Sequence, residues 1–187
     1  PTIETSVAAV DDTIRVDTPH GRAWYRYNGD GYGEQDGSGQ YQSGAPWSLD
    51  NAGQGRLWPI FTGERAEYEL LRGTDDGALA PEHLLDTMQG FANEGRMIPE
   101  QVWDRPESGP YGWEFGEGTG SATPLSWSMA QFVRLAHGID AGEPVETPQV
   151  VRDRYADGSR TGGPELSVDD LPAVVEDDTV TVTGSIG

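Results

Sequence analysis

The chain contains no cysteine and no lysine. Without a thiol it can form neither a disulfide nor a thiolate zinc site, and it has no cysteine nucleophile. Without lysine, all 12 basic side chains are arginine, set against 32 acidic ones for a formal net charge of -20 over 187 residues. Histidine is scarce as well, and His20, His83 and His137 stand in unrelated contexts, so no convergent set of metal ligands, and no cofactor, is expected. Also lacking are an initiator methionine before Pro1, a charged-then-apolar leader, and any apolar run long enough to cross a bilayer. A soluble segment of a longer protein is the expectation, with no membrane insertion.

The charge has consequences of its own. A surface this acidic repels nucleic acid and anionic membranes, which disfavours both as partners. Disorder is the first rival reading of high net charge, but six tryptophans and seven tyrosines exceed what a solvated tail needs. Adaptation to high salt accounts for the composition better, because screening weakens repulsion between carboxylates while a hydrated acidic surface maintains solubility. The compartment, secreted or cytoplasmic, stays open.

What is present reads as helices joined by long loops, a mainly α chain. Residues 1–9 carry no clear signal. Thr13–Thr18 alternates apolar and polar residues before a Pro19-His20-Gly21 turn, which predicts a short strand or extended arm. Residues Arg22–Ser48 are rich in glycine, aromatics and Asn/Asp; the interleaved rings of Trp24, Tyr25, Tyr27 and Tyr32 predict an ordered loop where glycine alone would give a linker. From about Gly55 to Leu71, residues Leu57, Phe61, Tyr68 and Leu71 recur near helical spacing, Pro59 fits a first turn, and Gly73 is a natural stop. A second helix is expected from Pro81 to Gly95 on the stripe Leu84, Leu85, Met88, Phe91 and Ala92. A third is expected from Thr123 as N-cap and Pro124 as first residue, with Leu125, Met129, Phe132, Val133 and Ala136 as its apolar stripe. A short helix over Pro148–Tyr155 follows. The division expected is residues 1–156 as one domain and 157–187 as an acidic linker plus a fragmentary β-strand at Thr179–Thr183.

No GxGxxG, P-loop, HExxH or GxSxG motif is present. Aromatic, glycine-rich loops with carboxylates, amides and arginines suit a sugar, whose C–H faces lie on aromatic rings while its hydroxyls need polar partners. Cleavage of a glycosidic bond needs two carboxyl groups, one to protonate the leaving oxygen and one to activate water or attack carbon. Glu100, in the loop Met97-Ile98-Pro99-Glu100-Gln101-Val102-Trp103-Asp104, is a candidate for one of them; an ordinary surface carboxylate is the alternative in so acidic a chain.

Three blocks then carry a resemblance. Arg26-Tyr27 through Gly31-Tyr32-Gly33, Gly55-Arg56-Leu57-Trp58-Pro59 through Thr62-Gly63-Glu64-Arg65, and Met97–Asp104 followed by Gly120–Leu125 resemble the C-terminal part of glycoside hydrolase family 15, the glucoamylases and glucodextranases, in its prokaryotic branch. The resemblance spans about residues 13–155. It implies a portion of an (α/α) six-hairpin toroid whose active site lies where helix-connecting loops converge, and the lysine-free acidity suggests a haloarchaeal member. It also implies α-glucan or maltooligosaccharide as substrate, glucose released from non-reducing ends with inversion, and no cofactor.

Carried over by residue, Glu100 matches the general base. Arg26 matches an arginine that hydrogen-bonds the terminal glucose, with a salt bridge to Asp30 a compatible alternative. Gln101 matches a position close to that glucose, Trp58 a tryptophan lining the subsites or else a core residue, and Tyr27 and Trp103 weaker candidates for sugar contact that could equally hold loops. The general acid of the family lies upstream of these blocks and has no counterpart here, and most of the twelve helices of the toroid are absent. The implied partner is therefore the missing N-terminal part of the toroid, in the same or a separate polypeptide. A non-catalytic glucan-binding or assembly fragment, and an enzyme acting on α-1,6-linked dextran or on trehalose, remain open alternatives.

High-salt adaptation makes a first prediction. Unfolding followed from low to molar KCl should show a midpoint that climbs with salt; equal stability at both ends would contradict that origin for the charge.

Overall fold

The computed structural model of the protein describes residues 2–35, 53–109, 111–155, 173–176 and 179–182. The expected ordered loop beyond Gln35, and the expected linker over residues 157–172, lie outside the described residues. The chain divides into two compact units, Pro1–Val145 and Glu146–Gly187.

In the first unit, α1 (Thr2–Ile14) runs directly into β1 (Arg15–Thr18), which turns at Pro19-His20 and pairs antiparallel with β2 (Gly21–Trp24). The strand expected at Thr13 thus starts two residues later, and the signal-poor opening stretch is helix. None of the residues of α1 is buried, and so exposed a helix depends on tertiary contacts more than on its own propensity. Asp11 supplies one such contact: its carboxylate accepts from the Trp24 indole N–H at 2.9 Å and pairs with Arg65.

Two more short strands, β3 (Glu34–Gln35) and β4 (Gly53–Gln54), pair antiparallel before the helical body. That body comprises α2 (Pro59–Arg72), α3 (Pro81–Gly90) and α4 (Ser126–Ala141). Pro59 and Pro81 occupy first-turn positions, where the missing N–H costs nothing, and Gly73 and Gly142 end α2 and α4 in the left-handed conformation.

α2 and α3 are shorter than their sequence patterns imply and α4 is shifted toward the C-terminus, each for a local reason. α2 starts four residues after Gly55 because the preceding segment is extended and bonded sideways: Trp58 N–H donates to Trp24 O, and Val102 N–H to Leu57 O, each at 2.9 Å. α3 stops at Gly90, five residues early, where Asn93 and Arg96 close a turn containing a left-handed Arg96. α4 begins at Ser126 with Leu125 as an extended N-cap, and the Leu125 N–H donates to Ile98 O at 3.0 Å. Thr123 and Pro124, expected as cap and first turn, lie outside the helix.

The core gathers Trp24, Ala66, Leu84, Met88, Ile98 and Leu135, with Phe61, Leu79, Met129 and Phe132 packed against it. A second cluster of Ala23, Leu57, Phe91 and Val102 lies under the loops. The face that α4 buries reads Ser128, Gln131, Leu135 and Gly138, so the apolar stripe expected there is rotated and Val133 is exposed. Leu71 of the expected α2 stripe is likewise exposed. Small residues let these helices approach closely. A Cβ at Gly63 would stand 2.5 Å from Gln131 Cγ and 2.7 Å from Met88 Sδ.

The second unit holds α5 (Gln149–Tyr155), and β5 (Ala173–Glu176) paired antiparallel with β6 (Thr179–Val182). The strand expected at Thr179–Thr183 is observed over Thr179–Val182 as one arm of a hairpin. Among the described residues no helix is long and apolar enough to cross a membrane.

The packing at Gly63 predicts that Gly63→Ala, despite its gain in helix propensity, destabilises the first unit by about 1–3 kcal/mol through overpacking. Urea unfolding reads this directly, and an unchanged midpoint would show that α2, α3 and α4 have room to spare.

Candidate active site

Three loop segments converge beside the helical body. Residues 25–33, which follow β2, are stitched to the segment entering α2 by Gly53 N–H donating to Gly31 O at 2.9 Å and Gly55 N–H donating to Asp30 O at 2.7 Å. That segment is bridged in turn to residues 98–104, which are bridged to the return strand near Gly118, through Leu57, Val102 and Gly118. The three sequence blocks around Arg26, Trp58 and Glu100 are thus brought into one layer by main-chain bonds.

Glu100 is buried, 8% exposed, and its N–H donates to Ala122 O at 2.9 Å. Burial raises its pKa above the usual carboxylate range. A hydrogen bond from Gln101 and the charge of Arg26 oppose that rise, and the charge of Asp30 adds to it. The neighbouring phenol of Tyr32 is also pushed up, first by burial and then by the charge of Glu100.

Arg26 forks onto Asp30, with Nε to Oδ2 at 2.9 Å and Nη2 to Oδ1 at 2.7 Å, and Nη2 also donates to Tyr27 Oη at 3.1 Å. Its guanidinium stands 4.9 Å from the ring centroid of Tyr27 and 5.1 Å from those of Tyr32 and Trp58. Three rings and a carboxylate therefore orient one cation, an arrangement open to arginine because its planar group stacks and forks at once. Tyr27 is exposed on one side of that cation, while Trp58 is only 4% exposed on another. The Trp58 indole N–H has no hydrogen-bond partner among the described residues, an orphaned buried donor beside the cation.

The remaining two sequence candidates lie deeper. Gln101 is fully buried and Trp103 nearly so. Trp103 has the guanidinium of Arg56 at 4.5 Å and that of Arg105 at 5.5 Å from its ring, and its N–H donates to Glu107 O. It packs the base of the loop and presents no face to a ligand.

Four residues that the sequence reading did not single out complete the arrangement. Arg56, wholly buried, donates from Nη1 to both carboxylate oxygens of Asp104 at 3.0 and 3.1 Å. Asp104 also accepts from Tyr25 Oη at 2.6 Å, and burial followed by that bond raises the pKa of the Tyr25 phenol. Tyr32 contributes ring and carbonyl. An available signal was Arg56 itself, an arginine set directly before Leu57-Trp58-Pro59 and so destined for the interior with a carboxylate. Among the described residues no three His, Asp or Glu side chains converge as metal ligands.

A buried carboxyl close to an arginine held among three aromatic rings, on the loops of a helical scaffold, is an arrangement suited to a carbohydrate. The family model for glycosyl hydrolases family 15 matches residues 1–137, and the chain belongs to that family. A glucoamylase of Clostridium sp. (strain G0005) is 41% identical over 155 residues, which are 83% of this chain and 19% of the relative. A crystal structure of a bacterial glucoamylase complexed with acarbose matches with a TM-score of 0.67 at 40% identity, covering 83% of this chain and 20% of that one. The chain spans about a fifth of the length of these relatives.

The Arg56–Asp104 pair gives a stability prediction. Arg56→Met leaves the buried Asp104 carboxylate with only the exposed Arg105, 3.5 Å away, as a cation, and should cost up to about 3–5 kcal/mol in chemical denaturation, while adding Asp104→Leu should restore much of the loss. A single substitution as mild as a surface change would mean that water reaches the pair.

Proposed function

We propose that this chain is the C-terminal segment of an inverting, exo-acting α-glucosidase and supplies its general base. The observation that carries the reading is Glu100: a buried carboxyl, raised by desolvation, on a loop bridged to the segments that hold an oriented arginine cage. A base is most effective when its pKa lies close to the working pH, and burial moves a carboxyl in that direction. Ionised Glu100 takes a proton from water as that water attacks the anomeric carbon, and in inverting enzymes the second carboxyl stands roughly 6.5–9.5 Å away to admit it.

The cage fits the other half of the task. Tyr27, exposed beside the cation, offers a ring face for the C–H face of a glucose, and Arg26, already oriented by Asp30 and backed by Trp58, has N–H groups to spare for hydroxyls. Relatives that are glucoamylases, one of them solved with acarbose, support α-glucan as the substrate class. Protonation of the leaving oxygen falls to a carboxylic acid from the N-terminal part of the toroid, which is the partner this chain requires.

Glucose release from maltotriose tests the reading. The chain alone should give no appreciable turnover, and addition of the N-terminal part of the catalytic domain should restore it with inversion at the anomeric carbon. Glu100→Gln should then cut kcat by about 10²–10⁴-fold with little change in KM, and should still bind acarbose. Robust turnover by the chain alone, or a fully active Glu100→Gln, would overturn the assignment; acarbose binding without any turnover of the joined parts would favour a glucan-binding fragment.

The same variant carries a pH signature. Because the folded pKa of Glu100 is raised, the fold favours the protonated acid, and stability falls as pH rises from the unfolded value of about 4.3 through the folded one. Glu100→Gln should therefore have a higher Tm than the wild type at pH 7, with the gain shrinking as the pH falls through the folded value and gone below about 4.

A further inference from the structure

Beyond Asp104 the chain makes an excursion whose two ends are tied together. Trp103 N–H donates to Glu117 O at 2.8 Å, and Gly116 N–H donates to Trp103 O at 2.9 Å. Further out, Ser108 Oγ donates to Glu114 Oε1 at 2.7 Å, Gly109 N–H to Trp113 O at 2.7 Å, and Gly112 N–H to Gly109 O at 2.9 Å. Gly112 takes the left-handed bend at a φ of 78°, and a Cβ at Gly109 would lie 3.1 Å from Trp113 Cε3 and 3.4 Å from Trp103 Cε2, so both indoles close over that glycine. The result is a braced series of rings. Trp103 and Trp113 have centroids 5.8 Å apart with planes inclined at 54°, and Trp113 and Tyr111 are 5.5 Å apart at 41°. The series runs outward from buried Trp103 to Tyr111, which is 53% exposed at the tip.

We propose that Tyr111 and Trp113 form a second, non-catalytic α-glucan-binding platform, made of residues other than those of the arginine cage. The choice of an α-glucan rests on the reading of this chain as part of an α-glucosidase. Aromatic rings take the C–H face of a sugar, and Arg105, Ser108 and Glu114 supply donors and acceptors nearby for hydroxyls. Charge narrows the ligand further. Glu107, Glu114 and Glu117 are all exposed on the same excursion, so an anionic ligand is repelled. An apolar protein surface would have to desolvate those carboxylates, whereas a hydrated, uncharged sugar chain would not. Two rings inclined to each other meet successive sugars that are themselves turned, as α-linked glucoses are, while a flat β-linked chain suits coplanar rings. Because the main chain of the excursion is already fixed, covering Tyr111 orders little beyond one stiff side chain. A glucan held there is tethered beside the Glu100 loop, which raises the local concentration of chain ends without any new contact at the reacting bond.

Calorimetric titration of the full chain with maltoheptaose tests the platform, in an Arg26→Ala background that disables the cage. Maltoheptaose should still bind, and adding Tyr111→Ala should weaken it about tenfold. With Arg26 intact, Tyr111→Ala should leave the Kd for acarbose within about threefold. Maltoheptaose binding indifferent to Tyr111→Ala, or cellohexaose bound as tightly, overturns the proposal. So does sedimentation showing a wild-type dimer that Tyr111→Ala dissolves, which would assign the rings to a second copy. If Arg26→Ala does not fold, the Trp113 indole N–H resonance of the wild-type chain should shift with maltoheptaose, and a resonance that stays in place is equally decisive. A chain that binds maltoheptaose through Tyr111 but never acarbose would refute the reading of the Glu100 site and leave the platform standing. In the joined catalytic domain, Tyr111→Ala should raise KM for amylose while leaving maltotriose hydrolysis unchanged; equal effects on both substrates, or none on either, reject the platform.

Discussion

The buried contact between Arg56 and Asp104 is the constraint from which the loop layer follows. Taking a guanidinium and a carboxylate out of water is unfavourable unless their geometry is good and their remaining donors and acceptors are satisfied. Here one nitrogen serves both carboxylate oxygens, Tyr25 donates a third bond to Asp104, and the indole of Trp103 covers the cation. These contacts draw together residue 25 after β2, residue 56 before α2 and residues 103–104 on the Glu100 loop. The same Arg56 offers its main-chain N–H to the Gln101 side chain, so the ion pair and that amide bond share one residue. A charge pair of this kind contributes little net stability against an apolar substitute of equal shape, and its value lies in permitting one arrangement of the three segments and penalising others.

The charges around Glu100 are arranged to different effect. Arg26 would by itself hold a neighbouring carboxyl ionised and low in pKa. Asp30 offsets part of that field by forking onto the same guanidinium, and it raises Glu100 in its own right. Burial is the largest influence, and the carboxyl rises against the opposing effects of Gln101 and Arg26. The ion pair on one side of the site thus holds structure, while the pair on the other side limits how strongly a cation acts on the base. Both use the same two chemical groups, and the difference comes from where each is placed relative to Glu100.

Much of this was legible in the sequence, and the remainder was hidden for identifiable reasons. Proline at helix starts and glycine at Gly73 gave the helices their existence, since backbone geometry is encoded locally. Their extents were misread wherever a tertiary bond diverted the main chain, as at Leu57-Trp58, Asn93 to Arg96, and Leu125. The buried face of α4 was misread because three of its four residues are Ser128, Gln131 and Gly138, with Leu135 the one large apolar side chain, so that its apolar signature is weak. α1 was missed because none of its residues is buried and it is held mainly by the Asp11 carboxylate and, at its end, by Ile14. Glu100 and Arg26 could be located from their blocks. Gln101 and Trp103 could be located as well, but composition cannot distinguish a polar or aromatic side chain that faces a ligand from one that packs behind it.

The absence of lysine bears on all of these contacts. An ammonium is a compact, strongly hydrated point charge, whereas a guanidinium is planar and weakly hydrated, and can stack and fork together. Arg26 and Arg56 each stack on an aromatic ring while bonding a carboxylate, and Arg65 does the same between Trp24, Asp11 and Glu69. A lysine at residue 56 could not cover Trp103 and hold Asp104 with the same group, and its desolvation would be the costlier of the two. In a chain with 32 acidic residues and only 12 cations, several of those cations are committed to fixing where segments cross. The surface consequently remains strongly anionic, and the acidity evident at the first reading of the sequence follows in part from where its few positive charges are needed.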